Sequence, residues 1–225
     1  MSNDILTFKI SILNDFKENQ FILFSKHFYQ CFESKTGLQI GIEILVKDLN
    51  INDHRVRSSI WLIYHEKRWK SMIPYFLEGS AGILIMCDIS FERSIMEIEE
   101  WLKNILDLSI NRSSKNNGEM FDINPESLTT LKNSLIPTIL VGYISNDKES
   151  KIPYTQIREI AKTNGLDGYA ICNIQTGENI KEIFQVLARF LFGKSGLTPV
   201  KISQIKKMMI CGNCGANLSC RLHFL

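Results

Sequence analysis

Apolar residues along this chain gather in short runs that alternate with stripes at helical spacing. Leu6, Phe8, Ile10, Ile12 and Leu13 read as a buried strand. Similar runs place strands at Ile40–Leu49, Arg55–Ile63, Ala81–Ile89, Thr138–Tyr143 and Gly168–Cys172. Between them, Phe21–Cys31 reads as a helix, and Ile95–Leu106 puts Ile95, Ile98, Trp101, Leu102 and Ile105 on one helical face. Tyr154–Asn164 and Asn179–Phe192 repeat that pattern, the second through Ile180, Ile183, Phe184, Leu187 and Leu191. Asn52-Asp53 between the second and third strands predicts a hairpin, so those two run antiparallel. The other connections need crossover helices. The expectation is an α/β fold: a six-stranded, mostly parallel sheet with one antiparallel edge strand and helices on both faces.

One segment interrupts the rhythm. Ser109–Asn133 is polar, with Asn, Ser, Gly and Pro clustered between a helix and a buried strand. It is too long for an ordinary connection and reads as an inserted loop. The helical pattern ends at Gly193. The chain of 225 residues therefore divides into a domain over 1–193, a linker or short helix over 194–210, and a cysteine-rich tail over 211–225.

Composition sharpens this only slightly. Hydrophobic residues at 44% and charged residues at 22% are ordinary for a globular protein, and a net charge of +2 argues for neither nucleic acid nor an anionic membrane. Gly82–Met86 and Ile136–Val141, the longest apolar runs, fall far short of the roughly 20 residues of a membrane-spanning helix. MSNDILTF lacks a basic region followed by an apolar core, so a cytoplasmic, reducing address is the default expectation.

Cysteine placement is more informative. Cys87 and Cys172 lie in strand-like runs as small hydrophobes, whereas the tail carries Cys211-x2-Cys214-x5-Cys220-x2-His223. Four soft or borderline ligands close together suit tetrahedral zinc, with Gly212 and Gly215 permitting a tight turn around the first pair. A half-site completed by another chain and reactive thiols for lipid attachment remain alternatives. Five residues follow Cys220, not the three that a simple prenylation box requires.

The middle of the chain carries a resemblance. RWKSMIPYFLEGSAGILIMCDISFERSIMEIEEWLKNI, Arg68–Ile105, closely resembles the small GTPases of the Ras superfamily, above all their Rab branch. TGENIKEIFQVLARF, Thr176–Phe190, resembles that family's last helix. Ile60-Trp61 resembles the end of its third strand and QIGIEI, Gln39–Ile44, the start of its second. The likeness covers Phe8 to Phe192 and implies a Ras-like G-domain.

It also implies a nucleotide site whose positions are replaced here. The family's phosphate loop uses two glycines, a lysine and a hydroxyl residue that holds magnesium. In register stand Asn14 and Asn19, Gln20 and Phe21. The first switch threonine falls on Gln39. The third strand's acidic magnesium partner falls on Leu62, and just beyond it His65 and Glu66 stand where water would be oriented. The guanine-reading motif meets Tyr143, Ile144 and Asn146, and the later Ser-Ala-Lys becomes Asn173-Ile174-Gln175. Each lost charge-assisted contact costs on the order of 1.5–3 kcal/mol, and about 1.4 kcal/mol is tenfold in affinity. GTP and Mg are therefore not expected, and the chain reads as a pseudo-GTPase.

A second reading keeps the chemistry. Lys17, His65 or Glu66 would serve a nonstandard nucleotide hydrolase, against the plainer reading of exposed loop residues. A third takes Lys201, Lys206 and Lys207 with the knuckle as a nucleic-acid surface, against a solvated helix face. The leading expectation is a protein-interaction adaptor in membrane-trafficking or small-GTPase regulatory machinery. Rab-like proteins meet protein partners through their two switches and the hairpin between them, and the matching positions hold Ile44, Trp61 and Phe76, with Arg68 and Trp69 beside them. No nucleic acid is expected, and peripheral attachment to a membrane stays open.

Overall fold

The computed structural model describes residues 6–14, 20, 24, 26–27, 34–35, 42–51, 54–64, 67–117, 136–145, 150–184, 187, 191 and 223–224. Strands are β1 (Leu6–Asn14), β2 (Ser34–Lys35), β3 (Ile42–Ile51), β4 (His54–Tyr64), β5 (Gly82–Asp88), β6 (Thr138–Ile144), β7 (Gly168–Asn173) and β8 (His223–Phe224). A 3-10 turn, Lys67–Met72, leads into helix α1 (Ile73–Leu77), and the longer helices are α2 (Ser94–Asn117) and α3 (Tyr154–Thr163). Residues 20, 24, 26 and 27 are helical, as are 180–184, 187 and 191.

The strands form one sheet in the order β2-β3-β4-β1-β5-β6-β7-β8. β4, β1, β5, β6 and β7 run parallel, and β3 is antiparallel to β4 with Ile51 opposite His54. The six strands expected from the apolar runs are all present, with ends shifted by a residue or two. The fold is as expected. Beyond the six strands, a two-residue antiparallel strand is added at each end of the sheet, β2 on β3 and β8 on β7. Such short strands leave no apolar signature to read.

The start of the polar insertion is where the structure corrects the expectation. Helix α2 runs on through 109–117, residues expected to be loop. SINRSSKNN holds Ser and Asn, poor helix formers but not breakers, and Gly118 is the first strong interruption. A helix already nucleated by its packed first half propagates through such residues at little cost. The remainder of the insertion, 118–133, lies outside the described residues.

Side chains alternate between two cores, one on each face. Ile10, Ile12, Leu45, Ile60, Leu62, Leu84 and Met86 meet Phe24 and the stripe Ile180, Ile183, Phe184, Leu187, Leu191. Leu13, Ile63, Ile83, Ile85 and Cys87 face the other way, against α1, α2 and α3 through Ile73, Leu77, Ile98, Trp101, Leu102, Ile105 and Ile157. Every residue of β5 is buried, as expected for a central parallel strand covered on both sides. Among the described residues no helix is long and apolar enough to cross a membrane.

Candidate functional site

Chain direction through the sheet reverses beside β1: the chain beyond β1 first builds β3 and β4 on one side, and β5 then opens the other. In open α/β sheets a crevice at the carboxyl ends of the strands flanking such a point is the natural ligand site. Close to that point, at the ends of β5 and β6, Gln20, Met86, Asp88, Phe91, Arg93, Ser94, Glu97 and Tyr143 line a crevice. Its volume is about 10 Å³, roughly what one water needs.

A polar network occupies this place. Asp88 ends β5 with 7% exposure, and Gln20 is 9% exposed and Tyr143 2%. The Gln20 amide nitrogen donates to Asp88 Oδ2, and Ser145 Oγ donates to the same oxygen at 3.1 Å. The Ser90 backbone N–H donates to Asp88 Oδ1 at 2.9 Å, and Tyr143 Oη donates to Gln20 Oε1 at 3.4 Å. A buried carboxylate is tolerable only when its lone pairs are filled in this way. Asn14, fully buried at the end of β1, donates its side-chain amide to Ile63 O at 3.0 Å, tying β1 to β4.

The structure thus brings together three of the predicted positions, Asn14, Gln20 and Tyr143, at the carboxyl edge. Leu62 is fully buried in the first core, and Ile144 is half-buried. On the next loop Asn173 Oδ1 accepts from the backbone N–H groups of Gln175 and Thr176 at 2.9 and 3.1 Å, a local turn. Gln175 O meets His27 Nε2 at 2.8 Å, which joins that loop to the first helix. Lys17, Asn19, Phe21, Gln39, His65, Glu66 and Asn146 lie outside the described residues, as do Cys211, Cys214 and Cys220. His223 begins β8, opposite Tyr169. Cys87 and Cys172 are buried and free, as expected of small core hydrophobes, and burial pushes each thiol up to about 12.

A second surface forms around β3, β4 and α1. Ile44 and Trp61 are cross-strand partners, and both pack half-buried at the rim of the second core together with Trp69. Trp61 Nε1 donates to Ser59 Oγ at 3.0 Å, and Lys9 Nζ sits 3.6 Å from the centre of the Trp61 ring. Phe76 departs from the expected partner face: it is 9% exposed and belongs to the core, while its neighbour Tyr75 is 68% exposed. One residue along a helix turns the side chain by about 100°, and the apolar spacing Ile73, Phe76, Leu77 assigns Phe76 inward. Arg68 lies in the 3-10 turn.

Residues 20–192 match the model of the Ras family. The chain belongs to the Ras family. Human EF-hand calcium-binding domain-containing protein 4B is 24% identical over 186 residues, covering 80% of this chain and 22% of that protein. Ras-related protein Rab-18 of Lymnaea stagnalis is 23% identical over 101 residues, 45% of this chain and 50% of that protein. The chain therefore spans half or less of the length of each of these relatives. Membership accounts for the sheet order and makes this a domain of a GTPase family with a Rab-like relative.

Three participants were hidden in the sequence. Asp88 stands 68 positions from Gln20, so their pairing exists only in the fold. Ser145 lies between two family positions without matching either. Lys9 drew no notice in the sequence, since nothing local shows that it reaches Phe76 O and Glu78 O.

Proposed function

We propose that this Ras-family domain holds no guanine nucleotide and acts as a protein-interaction adaptor through its inter-switch face. The observation that carries the reading is the Asp88 carboxylate, engaged by Gln20, Ser145 and the Ser90 N–H. A triphosphate with magnesium needs cations at this end of the sheet. The position resembling the family's lysine is instead a neutral amide committed to a carboxylate, and a fixed negative charge repels phosphate. Tyr143, where the family reads the base, has its ring in the core and its hydroxyl on Gln20. The family match begins at residue 20, the position that stands for the loop's lysine.

On the other side of the balance, the half-buried aromatic surface around Trp61 persists. Trp61, Ile44 and Trp69 lie half-buried against the second core and Tyr75 is exposed on α1, residues of the aromatic and apolar types that dominate protein interfaces. Nucleotide content tests the first half of the reading. Denaturing the purified chain and quantifying released nucleotide is expected to give far less than one GTP or GDP per chain. Stoichiometric nucleotide would overturn it and return the chain to hydrolysis. For the second half, Trp61→Ala with Tyr75→Ala is expected to remove specific partners from a pull-down, and an unchanged partner set would dismiss this face.

The tail motif Cys211-x2-Cys214-x5-Cys220-x2-His223 is proposed to hold one structural zinc, since four protein ligands leave no open position for catalysis. Elemental analysis is expected to find zinc at one per chain, lost in Cys211→Ser with Cys214→Ser. Metal-free native protein would leave the tail to partner-shared metal or lipid attachment.

A further inference from the structure

The family's second switch, residues 67–80 here, is a short 3-10 turn followed by a five-residue helix, elements too small to be stable alone. Something must hold them. Ile73 and Leu77 are fully buried, which anchors one face of α1. The end of α1 is fixed by a charge. Lys9 Nζ donates to Phe76 O at 2.8 Å and to Glu78 O at 2.7 Å. Both carbonyls stand at the helix carboxyl terminus, where the backbone has acceptors to spare and the dipole is negative. The same ammonium lies over the Trp61 ring, a cation–π contact.

β1 adds two more ties to this segment. Lys9 O accepts from the Ala81 N–H at 2.8 Å, and Ser11 Oγ shares a buried hydrogen bond of 2.7 Å with Ser80 Oγ. Lys9, Ser11 and Leu13 all face the α1 side of the sheet, so β1 acts as a rail with Lys9 near one end.

We infer that Lys9 is a positioning residue whose ammonium, shared between the α1 terminus and the Trp61 indole, fixes the second switch and the inter-switch face in one arrangement without a nucleotide. The inference deepens the adaptor reading and rests on it for the words "without a nucleotide"; the clamp itself rests on the Lys9 contacts. A protein cation here supplies order that a terminal phosphate supplies elsewhere by coordinating switch loops. An indole held on its face by Lys9 and at its N–H by Ser59 is preorganised, so binding through it loses little side-chain freedom.

Amide hydrogen exchange on the full, nucleotide-free chain tests this. Lys9→Met keeps the apolar stem and removes the charge. Exchange over residues 67–80 is expected to quicken about tenfold, the loss of one charge-assisted contact, while 138–144 in β6 keeps its protection. Lys9→Arg, which retains a cation, is expected to return 67–80 toward the native rate. Unchanged exchange in 67–80, an equal rise across β6, or global unfolding of Lys9→Met would overturn the clamp. Adding GTP with magnesium to the native chain separates the two claims. Nucleotide uptake with a loosened Lys9→Met sinks the adaptor reading and leaves the clamp. No uptake with an unaffected Lys9→Met does the reverse.

Discussion

At Gln20 a neutral side chain stands against a buried carboxylate, and the consequence is measurable. Gln20→Ala strips one donor from Asp88. The expected loss of stability is about 1–3 kcal/mol, seen as a lower denaturant midpoint at unchanged slope. Tyr143→Phe removes only the long 3.4 Å bond to Gln20 and is expected to cost about 1 kcal/mol or less. Equal losses from the two variants would mean that the network is not centred on Asp88. Gln20→Lys is expected to pair with Asp88 and leave nucleotide content at background, because the new charge is neutralised where it stands. The sequence displayed the replaced positions, since a neutral amide in place of a lysine is visible in one dimension. It could not display Asp88 as their partner, because nothing local links β5 to residue 20.

Elements were more legible than pairings. Strand after strand, the apolar runs predicted β1, β3, β4, β5, β6 and β7 to within a residue or two, because burial on both faces leaves continuous hydrophobic sequence. The length of α2 was not visible, since Ser and Asn mark loops and weak helix equally well. Nor was the join between the first helix and the loop after β7. There Gly177 has φ of +83°, and a Cβ would collide with the His27 ring at Nδ1. Gly177→Ala is thus penalised twice, by backbone and by the imidazole, and is expected to lower stability by about 1–3 kcal/mol. His27→Ala is expected to relieve part of that cost. A double-mutant cycle by thermal unfolding checks it, and strict additivity would show that the imidazole takes no part. In β6, Gly142 allows another close approach: a Cβ there would sit 2.9 Å from both Ile171 Cδ1 and Ile89 Cγ2. Gly142→Ala is expected to cost about 1–3 kcal/mol for the same overpacking reason, measurable by the same unfolding.

For the molecule as a whole, the two core thiols set an alkaline limit. Burial raises Cys87 and Cys172 from 9.0 to about 12, with the Asp88 and Glu97 charges adding to the effect on Cys87. Below pH 9 both thiols are protonated whether the chain is folded or not, and the stabilisation is complete. Between pH 9 and about 12 the unfolded chain ionises while the folded one resists, so stability falls as pH rises. Cys87→Ala with Cys172→Ala is expected to flatten that decline relative to the native chain. Parallel slopes in urea titrations over this range would show that these thiols do not set it. Neither thiol is expected to react with a labelling reagent in the folded protein.

The two-residue strand β8 bears on how the sheet meets its surroundings. It covers Gly168 and Tyr169 of β7 as β2 covers Leu45 and Val46 of β3, so part of each long strand's outer ladder is paired. An extended peptide seeking to pair with Gly168 and Tyr169 must first displace residues 223–224. Those residues belong to the same chain and compete at the high effective concentration of an intramolecular partner. The contact is small, yet it protects against the edge-to-edge stacking that turns sheets into aggregates.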